Sequence, residues 1–163
     1  MSGSCLTLLV RADEQAAALA AANNTLDNLF EWGYLSEGDK GYVDDDEPVV
    51  LGSTHPGLFI EELRNAQDAR RNEIAFKLAE IKRCMHGCGI TSLDEVTLEE
   101  ESISDMGMVG YHLVRLGKLV GRNFDPDCVL YNADTYDGGV SPEEFADIAK
   151  DPSGWALVAV IVG

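Results

Sequence analysis

Cys84-Met85-His86-Gly87-Cys88 places two thiols and an imidazole within five residues, and these are the soft donors that a tetrahedral zinc ion takes. Cys84, His86 and Cys88 would need a fourth ligand, which Cys5, Cys128, His112 or a carboxylate could supply. Zinc sites usually pair one Cys-x2-4-Cys with a second such half or with His-x3-5-His, and no second half is visible in this chain. The competing reading is two half-buried thiols beside a histidine at a helix end, which packing alone would explain.

A second candidate lies between Tyr131 and Phe145. This stretch resembles the back half of an EF-hand loop, with Asp137, Gly138, Val140, Ser141 and Glu144 in its fifth, sixth, eighth, ninth and twelfth places. The front half departs from that pattern. Ala133 and Thr135 stand where the first and third ligands belong, and Asp134 falls between them. Calcium held by Asp134, Asp137 and Glu144 is the alternative this resemblance offers; the leading expectation is no cofactor, with zinc or calcium as the alternatives. Ser141-Pro142-Glu143-Glu144 also reads more simply, as a helix start with a cap, a proline at the first position and a glutamate at the third.

His55, in Gly52-Ser53-Thr54-His55-Pro56-Gly57, precedes a helix start whose amides attract anions. A cap from Ser53 or Thr54 is the plainer reading of that loop. No Gly-x-Ser-x-Gly elbow, Walker loop, Gly-x-Gly-x-x-Gly or His-Glu-x-x-His occurs. Catalytic residues therefore stay unassigned, and the balance leans away from an enzyme.

The acids speak more strongly. Twenty-nine Asp and Glu against twelve Lys and Arg give a net charge of −17. From Leu58 to His86 six bases meet five acids, a net of +1, so the rest of the chain carries −18. A field of that sign repels nucleic acid and anionic lipid, and attracts basic proteins or cations. The densest runs are Asp44-Asp45-Asp46-Glu47 and Glu99-Glu100-Glu101, the expected contact face for a basic protein partner. Adaptation to high salt explains the same composition without any partner.

The chain length fits one α/β domain spanning 1–163 that buries a real core. No run approaches the ~20 apolar residues of a membrane span. The start, Met1 to Leu6, lacks the basic region of a secretory signal, so a cytoplasmic protein with four free thiols is expected.

Strands are expected at 5–10, 128–131 and 155–162, the last apolar on both faces like a central strand. Asp13 reads as the cap of an alanine-rich helix carrying Leu19, Ala22, Leu26 and Leu29 on one stripe. Residues 58–86 show the clearest helical period, roughly 42 Å long at 1.5 Å per residue. Arg70 interrupts its apolar stripe, most simply as an exposed stem. Residues 36–57 fit either a hairpin with an acidic tip or an irregular loop. Ser104 reads as the cap of a further helix in which Gly107, Gly110 and Gly117 suggest close backbone packing, with a strand over 109–116 as the alternative.

The whole points to a layered α/β sandwich. The leading functional expectation is a non-catalytic acidic protein of inhibitor, immunity or nucleic-acid-mimic type. A metal-dependent hydrolase and a subunit that dimerises through helix 58–86, around Leu63 and Leu78, are the alternatives.

Overall fold

A computed structural model of the chain describes residues 3–38, 40–44, 46, 48–87, 89, 92, 103–120 and 124–163. It is an α/β fold with strands near both termini. Strand β1 (Ser4–Arg11) alternates its side chains between two covered faces. Leu6, Leu8 and Val10 enter one hydrophobic cluster and Leu9 enters another, as the two-residue period of a strand requires. Strand β6 (Trp155–Val162) pairs antiparallel along its whole length, from Ser4 opposite Val162 to Arg11 opposite Trp155. It sends Ala156, Val158, Val160 and Val162 to the first cluster and Leu157 to the second.

Helix α1 (Gln15–Glu31) covers the first face with Ala18, Ala22, Leu26 and Leu29. Two further helices cover the second: α2 (Pro56–Gly87) through Phe59 and Leu63, and α4 (Pro142–Lys150) through Ile148. Helix α3 (Ile103–Val120) packs along α2 and away from the sheet. The remaining strands are β2 (Tyr42–Val43), β3 (Val49–Leu51), β4 (Leu130–Asn132) and β5 (Asp137–Gly138). The sheet order is β2-β6-β1-β4-β5, with β3 also on β6; β1 and β4 are parallel and the other pairs antiparallel.

The acidic segment is neither a hairpin nor a loose loop. Both β2 and β3 pair with β6, Val43 opposite Val160 and Val49 opposite Val158, so the two short strands continue along one edge with only Ala159 between their partners. Asp44 N–H donates to the Ala159 carbonyl at 2.9 Å, and Ala159 N–H donates to the Pro48 carbonyl at 2.8 Å. The segment is one edge strand interrupted by a bulge that holds Asp44 at its first position, still bonded to the ladder, and exposes Asp46.

Residues 128–131 are only half strand. Asp125 accepts a hydrogen bond from Asp127 N–H at 2.8 Å and caps a short 3-10 helix, Pro126–Cys128. Val129 then turns through φ 67°, a conformation that a β-branched residue rarely adopts. Its carbonyl accepts from Thr7 N–H at 2.9 Å, and the ladder starts at Leu130.

Two caps differ from expectation. Glu14, not Asp13, precedes α1 and makes no side-chain cap. Ser53 donates its hydroxyl to the Asp13 carbonyl at 2.7 Å, tying two loops together in place of capping α2. Gly110 and Gly117 of α3 do not mark close packing: a Cβ on either would meet nothing within 4 Å among the described residues. Leu63 is consumed by the protomer's own core, while Leu78 is exposed.

Candidate functional site

Arg70 is the largest departure from the sequence reading. It lies 6% exposed among the core residues, not on a solvated stem. Its guanidinium donates to the carbonyls of Cys128, at 3.3 Å, and Leu119. The Leu119 carbonyl belongs to the last turn of α3, where free carbonyls and the negative end of the helix dipole favour a cation. One side chain on α2 thus holds the end of α3 and the entry to β4. The guanidinium lies on Gly138 and Gly139: a Cβ there would fall 2.9 and 2.5 Å from its nitrogens. Burial pulls its pKa below the ordinary value.

Beside it runs a charge network. Arg115 pairs with Asp125 at 3.3 Å and with Asp127, and Lys77 reaches Asp127 at 3.9 Å and Glu73 at 3.7 Å. These pairs join α2, α3 and the 3-10 helix.

The thiol-imidazole candidate is divided by its own helix. Cys84 and His86 both belong to the last turn of α2, and residues two apart on a helix do not face each other. Cys84 is half-buried and His86 exposed, while Cys88 lies outside the described residues. The proposed fourth ligands are scattered: Cys5 is exposed on β1, Cys128 is buried under the sheet, and His112 is buried on α3. Among the described residues no three of His, Cys, Asp and Glu gather to hold an ion.

The carboxylates of the 131–145 loop are turned to its own architecture. Asn132 accepts from Asp134 N–H at 3.0 Å and Thr135 N–H at 3.4 Å, closing the turn between β4 and β5. Asp134 pairs with Arg11 at 3.1 Å, and Arg11 lies 4.3 Å from the centre of the Trp155 ring. Glu144 accepts from Ser141 N–H at 3.0 Å, while Ser141 Oγ accepts from Glu144 N–H at 3.1 Å. This is the capping box, and Asp137 sits in β5 opposite Asn132.

Comparisons with protein-family models, curated proteins and solved structures find no match for this chain.

Of the acidic face, Asp44 and Asp46 occupy the bulge of the β2–β3 edge; Asp46 N–H donates to Asp44 Oδ1 at 3.3 Å. Neither carboxylate pairs with a described base. Asp45, Glu47, Glu99, Glu100 and Glu101 lie outside the described residues.

One cleft has no counterpart in the sequence reading. Arg64, Gln67, Asp68 and Arg71 on α2 face the cap residue Ser141 and Pro142 and Phe145 of α4 across about 250 Å³. Gln67 fixes the spacing of its walls, donating to the Val140 carbonyl at 2.5 Å and accepting from Val140 N–H at 3.3 Å. The signal was present as a face: positions 64, 67, 68 and 71 follow the i, i+3, i+4, i+7 spacing of one helix surface. What α4 brings opposite them was not legible.

Proposed function

We propose that this chain is a non-catalytic binding protein that docks on a basic protein partner through carboxylates at a sheet edge, where Asp46 is exposed and Asp44 half-buried. The bulge at Asp44 and Asp46 carries the reading, because it sets these acids at a sheet edge and leaves them without a described internal cation. Most described bases are already engaged elsewhere: Arg11, Lys40, Arg71, Lys77, Arg83, Arg115 and Lys150 with carboxylates, and Arg70 with carbonyls. Among the described residues, Asp44 and Asp46 are therefore left for a cation that another molecule supplies. Steering of this kind raises the association rate and weakens with salt.

The test compares two double variants of equal charge change on a sensor bearing a lysine-rich peptide. Asp44→Lys with Asp46→Lys should slow association about tenfold at 50 mM KCl, and Glu61→Lys with Glu62→Lys on α2 should slow it far less. Equal losses from the two pairs would mean that net charge alone acts and no docking face exists.

A further inference from the structure

We infer that the cleft between α2 and the start of α4 is a binding site for a small oxyanion, a carboxylate or phosphate carried on a compact carbon framework. The cleft is lined by two guanidinium groups, Arg64 and Arg71, against one carboxylate, Asp68, and so is locally positive in a chain of net charge −17. Arg64 forms no ion pair with any described carboxylate; its guanidinium instead lies 5.6 Å from the centre of the Phe145 ring. An arginine left to an aromatic face, where acids outnumber bases 29 to 12, keeps its donors free for an incoming anion. Arg71 meets Asp68 through a single contact of 3.4 Å between well-exposed side chains, a pair weak enough for a better acceptor to displace.

The walls are set before any ligand arrives. Gln67 grips both main-chain groups of Val140, and the capping box holds Ser141 and Glu144. A rigid cleft loses little ordering entropy on binding. Guanidinium forks supply charge-assisted hydrogen bonds to the oxyanion, and Pro142 with Phe145 offers an apolar surface to the framework that carries it. At about 250 Å³ the space falls below the roughly 300–1,000 Å³ typical of larger ligands. It suits a metabolite-sized acid.

The experiment is a nitrogen-15 amide titration of the full chain with sodium succinate and, separately, sodium phosphate, each matched in ionic strength by sodium chloride. Saturable shifts confined to residues 64–71 and 140–145 are expected from at least one probe. Arg64→Met should weaken that binding about tenfold or more, and Arg64→Lys should restore only part of it, since an ammonium lacks the fork. Arg71→Met, also on an exposed side chain, gives a second reading should the first variant misfold. Shifts reproduced by sodium chloride, or binding unchanged in the arginine variants, would overturn the site.

Discussion

At the scale of single residues, Arg70 matters because its polar head is buried without a carboxylate. The carbonyls of Leu119 and Cys128 and the bare surface of Gly138 and Gly139 replace one. Arg70→Met leaves those carbonyls without their donor and should cost about 2–4 kcal/mol in urea unfolding. Gly139→Ala meets two obstacles, a φ of 70° and a Cβ only 2.5 Å from the Arg70 Nε. The backbone part costs about 1–2 kcal/mol. The clash involves the Cδ and Nε of Arg70; it is removed by Arg70→Ala and not by Arg70→Met, whose Sδ and Cε occupy the same positions, so Arg70→Ala is the partner variant. A double-mutant cycle should therefore be non-additive, with the double variant more stable than the sum of the two single losses; additivity would show that the glycines are not there for the guanidinium. Cys128 offers a pH reading. Burial pushes its thiol from 9.0 up to about 12, so above about pH 9 the unfolded chain releases a proton that the folded chain keeps. Stability contributed by this group is intact below that pH and falls as pH rises toward 12, by at most about 1.4 kcal/mol per pH unit. Tyr131, raised by the same burial, acts with the same sign. Cys128→Ala should flatten the slope of stability between about pH 9 and 11, measured by urea unfolding at half-unit steps.

At the scale of elements, the broken edge strand explains the acids without any partner as well as with one. An edge strand exposes unpaired main-chain groups, and charges or bulges on it discourage pairing with another copy. The interruption between Val43 and Val49, with Asp44 and Asp46 on it, supplies both devices at once. Asp44→Asn with Asp46→Asn should leave unfolding free energy within about 0.5 kcal/mol of the parent, while light scattering detects concentration-dependent association. No rise in scattering would assign the acids to docking alone. Helix α4 shows the opposite case, an element whose start is written entirely in local residues: Ser141, Pro142 and Glu144 form the box that their types and spacing predict. Helix α2 matches its periodic stripe for the same reason, running from Pro56 to Gly87 where the sequence suggested 58–86.

At the scale of the whole molecule, the charge of −17 makes the compact state repel itself, and salt relieves that repulsion as the screening length falls from about 10 Å at 0.1 M to about 3 Å at 1 M. The melting temperature should rise by several degrees between 0.05 and 2 M KCl, at about 3 °C for each kcal/mol of repulsion removed. A flat profile would mean that the acids are spaced widely enough not to feel one another. Among the described residues no helix is long and apolar enough to cross a membrane, in keeping with the short apolar runs of the sequence.

Local pattern alone determined the class of fold, the terminal strands 5–10 and 155–162, the long helix and the capping box at Ser141, because each rests on spacing or hydrogen bonds within a few residues. Tertiary structure decided the rest. Whether β2 and β3 form a hairpin with each other or one interrupted edge depends on β6, more than a hundred residues away. Whether Arg70 is a solvated stem or a buried clamp depends on where Leu119, Cys128 and two glycines arrive in space. Cys84 and His86 are neighbours in sequence, yet helical rotation separates them; Arg64 and Phe145 are distant in sequence, yet packing joins them across one cleft. Proximity along a chain says which groups share a turn, and only the packing of helices on the sheet says which groups share a site.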